Sequence, residues 1–328
     1  ANEGDYRVII SNTAGSITSF VARVSVFTGT VAQAMVAHLR FDGNYSDSSG
    51  HGNNAKPVGS PTFSPGKNGQ ALHVKTTTDG SINNYASLGF PPELRFDTND
   101  FSVGLWVNYS ASTDDQPLIT DKDWGSSSNI GWGIYSQGGG NFRVVATGTP
   151  RGSGNKMDTT LSNIIRDGTW HHVMVSFWRG RLANTYVDGA LVNSTALTIT
   201  GSVDTFDQNF NINIGQDGTG VYTDGGSSSI EGLFDNVILW RRALTPQDVL
   251  AVYTSENTGG EFYVHVASVS TSGGNVTVSW TGGQGPYVVE RKAALTDATW
   301  TTVATTSSLS ATFPSGGGVG FYRVRSAQ

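Results

Sequence analysis

EGLFDNVILWRRALTPQDVLAVY, from Glu231 to Tyr253, is the stretch on which the reading of this chain turns. Leu233–Trp240 reads as a strand, and the residues after it spell the start of a short helix. Thr245 can cap that helix, Pro246 suits its first position, and Asp248 falls where the acid of a capping box meets the N-terminus. No other segment of the chain makes a convincing helix. The counterpart of this stretch is HLRFDGNYSDSSGHGNNA, from His38 to Ala55. Together the two bracket one continuous run of strands between Ala37 and Tyr253.

Within that run, strands are expected at Phe101–Tyr109, Pro117–Thr120, Gly131–Ser136, Asn141–Ala146, His171–Trp178, Leu182–Val187, Phe210–Ile214 and Leu233–Trp240. Turn chemistry separates them at Gly138–Gly140, Asp188-Gly189, and Gly215 to Gly226. Evenly spaced short strands predict an all-β fold in which two antiparallel sheets cover one another, a jelly-roll sandwich. The 42 Gly and only 14% charged residues fit tight turns better than packed helices. With 37% hydrophobic residues the 328-residue chain can bury more than one core.

The net charge of −6 argues against nucleic acid or an anionic membrane surface as partner, because both need a basic face. The absence of Cys removes disulfides, thiolate metal sites and cysteine nucleophiles. There is no apolar run of membrane-spanning length and no basic segment leading an apolar one. The first residues read as a strand already under way. We therefore expect a piece of a longer polypeptide, exported to the cell surface or beyond by a signal outside this chain, and monomeric.

Three units are expected. Residues 1–29 hold two alternating runs, YRVIIS and ITSFVARVSV, on either side of Asn12–Gly15, a hairpin signal. This segment resembles the last two strands of an immunoglobulin-like domain, with Tyr6 as the corner tyrosine and Val8 where many such domains carry Cys. Residues 30–258 form the central sandwich. Residues 259–328 restart the pattern as FYVHVASV, NVTVSW, YVVERKA, WTTVATT and FYRVRS, a small β-sandwich that resembles a fibronectin type III-like module, with Trp280 and Tyr322 as core aromatics.

The central unit resembles the concanavalin A-like, laminin G-like jelly-roll family. Five motifs carry the resemblance in order: LRFDGNYSDSSGHGN, FSVGLWVN, GTWHHVMVSF, YVDGALV and EGLFDNVILWRRALTPQDV. It implies a ligand-binding or accessory role, most often toward glycans, although a fold does not fix a function. It also implies a structural Ca²⁺ ligated by Asp42, Asn44 and Asp235, where the first and last strands meet. Asp, Ser, Asn and Gly are equally turn formers, and an Asx turn accounts for Asp47–Gly50 without metal. Zinc is disfavoured because His171 and His172 face opposite sides of a strand.

Glycan sites combine flat aromatic faces with planar polar groups. Trp106, Trp170, Trp178 and Trp240 sit inside strand motifs and are assigned to packing. Trp124 and Trp132 lie in DKDWGSSSNIGW, a polar, glycine-rich stretch that offers an aromatic little core to join. The candidate ligand surface is Asp121, Asp123, Trp124, Trp132, Arg143 and Tyr222. A regular strand puts Ile134 on the face of Trp132 and Tyr135 on the other.

Glycosidases of this fold place acids on alternate residues of one strand, and that pattern is absent here. Asp121-Lys-Asp123 lacks a glutamate partner, and Glu231 and Asp235 are four apart. His51, His73, Tyr85 and Arg143 could form a lyase constellation only by meeting from separate strands. The preferred reading is thus a non-catalytic carbohydrate-binding, lectin-like module for polysaccharide. The alternatives are a structural or adhesive surface module without a sugar site, and a glycosidase or lyase with an unusual catalytic set.

Overall fold

A computed structural model describes residues 4–6, 9–12, 15–18, 22–24, 31–108, 116–125, 128–137, 141–162, 165–205, 210–223, 230–260, 264–283, 285–316 and 320–326. Among them one long strand, Ile230–Trp240, organises the central unit. It pairs antiparallel with Phe101–Asn108 on one side. On the other it pairs first with Gln70–Thr76, through residues 230–234, and then with Met35–Leu39, through residues 237–240. The layer continues from Phe101–Asn108 through His171–Trp178, Arg181–Val187 and Ala190–Leu197.

A second layer runs in the order Lys156–Ser162, Asn141–Thr147, Gly131–Gln137, Gln116–Thr120, Ile212–Ile214 and Asn83–Gly89. The layers join at a corner where Lys75 pairs with Asn84 and Thr76 with Asn83. The result is the expected all-β sandwich of antiparallel sheets, with smaller C-terminal sheets.

Alternation along the strands explains the layering. Phe101, Val103, Leu105 and Val107 point one way and pack with Val173, Val175 and Phe177 of the neighbouring strand. They meet Leu118, Trp132, Ile134, Phe142 and Val144 of the second layer in one core. Each such side chain contributes about 1.5–3 kcal/mol when fully buried. The residues facing the other way at the centre of the first layer would be exposed, but a helix covers them.

Met174, Ile238 and Trp240 form a second cluster with Leu244, Val249 and Val252 of the helix Pro246–Asn257 and the residues leading into it. The helix starts as its sequence dictates. Thr245 Oγ1 accepts the backbone N–H of Asp248 at 3.2 Å, and Asp248 Oδ2 accepts that of Thr245 at 2.9 Å.

Trp106 and Trp240 are enclosed as expected, whereas Trp170 and Trp178 are only half-buried. At the N-terminus, Gly4–Tyr6 pairs with Ala22–Val24 and, inside it, Ile9–Asn12 with Gly15–Thr18, a nested hairpin. The side chains of Tyr6 and Val8, the end of the first expected strand at Tyr109, and the turn Gly138–Gly140 lie outside the described residues.

Beyond the helix stand two three-stranded sheets. One is built from Val264–Ser272, Asn275–Gly282 and Ser310–Pro314, the other from Thr301–Thr306, Tyr287–Lys292 and Phe321–Ser326. Trp280, Val278, Val289 and Phe313 are buried with them, and Tyr322 packs at the rim.

Candidate functional site

The side of the second layer turned away from the core is set by Gly133 and Tyr135, since Trp132 and Ile134 on the same strand enter the core. A Cβ on Gly133 would stand 2.4 Å from the ring of Tyr135, so glycine is what lets that ring lie flat along the sheet. Thr120 Oγ1 donates to the carbonyl of Trp132 at 2.7 Å and takes the Tyr135 hydroxyl at 2.6 Å. Burial, above all, raises the pKa of that phenol well above its ordinary value.

Trp124 lies on this ring. The two centroids are 3.9 Å apart and the planes differ by 25°. Arg143, the cross-strand partner of Tyr135, holds its guanidinium carbon 4.8 Å from the centre of the Trp124 ring. That guanidinium is aimed by Asp158, with Nε to Oδ1 at 3.0 Å and Nη2 to Oδ2 at 2.5 Å. Lys156 adds a contact to Asp158 at 2.6 Å. Burial opposes the Asp158 charge, but the bonds from Arg143 and Lys156 outweigh it and hold its pKa below the usual value.

The loop that carries Trp124 is fixed from several directions. The Trp124 N–H donates to Asp217 Oδ2 at 3.0 Å, and the Gly218 N–H donates to the Lys122 carbonyl at 2.7 Å. A Cβ on Gly218 would meet the Asp121 carbonyl carbon at 2.6 Å, so the two loops touch backbone to backbone. Asn129 closes the loop on Asp123 through both its amide atoms. Lys122 is buried, with Nζ donating to the Asn129 carbonyl and to Thr147 Oγ1, and burial lowers its pKa to about 8.

The six expected ligand residues do not form one surface. Asp121, Asp123, Trp124 and Arg143 gather in this corner, but in different roles. Trp132 is 0% exposed and packs against Phe96, Phe101 and Phe177, which corrects the expectation of an aromatic in an exposed loop. The polar stretch before it misled: the strand begins at Gly131 as expected, but the face it shares with Ile134 is the one turned to the core. Asp121 is fully enclosed too. Its Oδ1 accepts the Trp132 N–H at 2.7 Å, and burial raises its pKa well above the ordinary value. It fixes the loop from beneath and presents nothing to solvent.

Asp123 is half-buried, and so is Tyr222, whose carbonyl accepts Gln216 Nε2 at 3.0 Å. Residues that sequence reasoning passed over include Asp158 and Lys156. Their alternation was visible, but the pairing that sets Asp158 diagonal to Arg143 was not.

The expected calcium ligands occupy another corner. Asp42 Oδ1 accepts the Gln70 N–H at 2.8 Å and Asp235 Oδ2 accepts the Asn68 N–H at 2.9 Å, so both acids hold the turn between Gly66 and Gln70. Asn44 spends its amide locally, on the Asp42 carbonyl and the Ser46 N–H. Among the described residues no three His, Cys, Asp or Glu side chains are grouped to hold a metal. Asp235 Oδ1 is nevertheless buried without a hydrogen bond.

The scattered lyase candidates are engaged separately: His51 by Glu93, His73 by Glu231 and Arg143 by Asp158. Tyr85 is buried.

No curated protein sequence matches the chain. Among solved structures, the binding domain of Paraclostridial Mosquitocidal Protein 1 superposes with a TM-score of 0.55 at 14% identity, over 76% of this chain. The chain spans 64% of that domain's length. Domain 4 of AbnA, an extracellular arabinanase from Geobacillus stearothermophilus seen in complex with arabinotriose, gives 0.51 at 22% identity, over 67% of this chain and 98% of that domain. The binding domain of Botulinum neurotoxin DC, in complex with rat synaptotagmin II, gives 0.53 at 12%, over 84% of this chain and 70% of that one. These likenesses concern the fold. The sequence itself goes further, because the model of one family matches residues 78–250, more than half of the chain. This protein therefore belongs to the concanavalin A-like lectin/glucanases superfamily.

Proposed function

We propose that the central unit is a non-catalytic carbohydrate-binding module of a larger extracellular bacterial protein, and that polysaccharide lies against the second layer at Trp124. The observation that carries this reading is the mounting of Trp124. Its backbone is held by Asp217 and its ring by Tyr135, beside the guanidinium of Arg143, while the residue stays partly open to solvent. An aromatic plane fixed in advance loses little freedom when a sugar ring stacks on it.

Three of the four acids of this corner, all but the half-buried Asp123, are spent on holding structure, which favours binding over hydrolysis. Asp121 and Asp217 accept backbone N–H groups, and Asp158 is tied to two cations. The arabinotriose held by the arabinanase domain adds support for a glycan as ligand.

The test is affinity electrophoresis of the full chain through gels containing arabinan and other neutral polysaccharides, followed by calorimetry with arabinotriose. Retardation that Trp124→Ala abolishes, in a variant that still melts cooperatively with no more than a small loss of stability, supports the reading. Equal retardation of the variant, or binding to protein alone, overturns it. A structural Ca²⁺ at Asp42 and Asp235 belongs to the same proposal, supported by the unsatisfied Oδ1 of Asp235. A melting temperature that EDTA leaves unmoved removes it.

A further inference from the structure

The described C-terminal unit distributes its charge unevenly. Its four Lys and Arg residues, Arg291, Lys292, Arg323 and Arg325, all lie on two neighbouring strands, Tyr287–Lys292 and Phe321–Ser326. Alternation sends Tyr287, Val289, Tyr322 and Val324 to the core. Glu290, Lys292, Arg323 and Arg325 therefore share the opposite face. On these two strands three cations stand against one carboxylate, and Asp297 beside Lys292 spends its carboxylate on the Ala293 and Ala294 N–H groups, in a chain whose total is −6.

The arrangement has a centre and a rim. Glu290 is paired with Arg323 across the strands, and its side chain is only 8% exposed. It accepts Arg323 Nε at 2.6 Å, and Arg325 through both Nε at 3.3 Å and Nη2 at 3.5 Å. The two arginine side chains remain 45% and 42% exposed. Arg323 meets Glu290 through Nε alone, so the Nη donors of its fork are not committed to the carboxylate. The same guanidinium lies 4.5 Å from the centre of the Trp300 ring, and Lys292 Nζ lies 5.1 Å from it while donating to the Asp297 carbonyl at 2.5 Å. A half-buried indole thus holds two cations in place.

The geometry points to a second binding site on this face, for a carboxylated polysaccharide. Guanidinium forks match carboxylates in shape and charge. Arg323 and Arg325 stand two residues apart on one face of a strand, roughly 7 Å, so they meet charges spaced along a chain rather than one anion. Trp300 gives a pyranose ring an apolar neighbour. A uronate polymer offers separated carboxylates together with C–H ring faces. A nucleic acid fits less well, because three cations neutralise few phosphates and the rest of the chain is acidic. This site is independent of the one at Trp124.

The experiment runs the full chain through gels containing polygalacturonate, its methyl-esterified form, or double-stranded DNA. Retardation by polygalacturonate alone, weakened by added salt, is expected. Arg323→Gln with Arg325→Gln weakens it at least tenfold. Glu290→Gln removes the opposing charge while keeping one acceptor oxygen, so it strengthens binding several-fold, whereas a merely structural ion pair would give no gain. Trp124→Ala leaves it unchanged, which separates this site from the neutral-glycan reading. Equal retardation by the esterified polymer or by DNA, or a Glu290→Gln variant that melts normally and gains nothing, overturns the proposal.

Discussion

Asp217 accepts the backbone N–H of Trp124 at 3.0 Å, so a carboxylate in one loop decides where the aromatic of another stands. The same side chain takes the N–H groups of Thr219 and Gly220 and the Thr219 hydroxyl through its other oxygen. Burial raises the pKa of Asp217 despite these bonds. Asp217→Ala should therefore destabilise the fold by about 1–3 kcal/mol and reduce glycan retention together, since it leaves buried donors unmatched. Urea unfolding and gel retardation read the two effects, and exchange of the Trp124 amide reports whether the loop is held. Normal exchange at that amide would show that Asp217 does not position the loop.

The two tryptophans of the 121–132 stretch should separate cleanly. Trp124→Ala removes one aromatic pair at a half-open position and is expected to lower stability by about 1 kcal/mol while glycan affinity falls roughly tenfold or more. Trp132→Ala empties a site among Phe96, Phe101 and Phe177 and should destabilise by about 3–5 kcal/mol. Denaturant melts of both variants check this. Comparable losses from the two would contradict their different burial.

Stability should fall as pH rises from about 6.5 to 8. Burial above all raises Glu256 to about 8 and Asp235 to about 7, and lowers His38 and His172 to about 4. Between about pH 4.5 and 6.5 the folded chain keeps carboxyl protons that the unfolded chain has released, and lacks imidazole protons that the unfolded chain has gained. These effects oppose each other. Above about pH 7 the unfolded histidines lose their last protons, and Lys122, lowered to about 8, begins to release a proton that the unfolded chain keeps; both oppose the acids, but up to about pH 8 the two acids outweigh them, so the folded state binds more protons and loses stability with rising pH. Melting in EDTA should be lower at about pH 8 than at about pH 6.5, and Glu256→Gln should shrink the difference. A constant melting temperature across that range would mean that the acids are not held protonated.

Thr245→Ala should destabilise the chain by about 0.5–2 kcal/mol, because the Asp248 N–H loses its acceptor at the start of the helix. Thr245→Ser keeps the oxygen and should restore most of the loss. Thermal melts of the pair are sufficient.

The architecture was legible wherever a strand carries a strong apolar face, as in FSVGLWVN and HHVMVSFW, and the helix was legible from three residues alone. Strands such as Ala190–Leu197, with only its last residue fully buried, and Lys156–Ser162 escaped because their outward faces carry polar side chains. The site was harder to read. DKDWGSSSNIGW announced the right loop and Gly131 the right strand start, but which face of that strand meets the core is decided by the opposing sheet, and with it which tryptophan is open to solvent. Arg143 was identifiable as a forked donor, yet its partner Asp158 is set by strand register, which composition does not encode.

Ile230–Trp240 is hydrogen-bonded to Met35–Leu39, Gln70–Thr76 and Phe101–Asn108. During synthesis the first of these segments therefore leaves the ribosome roughly two hundred residues before the neighbour it needs, and its edge must wait unpaired. A nascent chain stopped short of residue 230 has the makings of both layers but no middle for one of them, which makes it a substrate for chaperones rather than a smaller version of the fold.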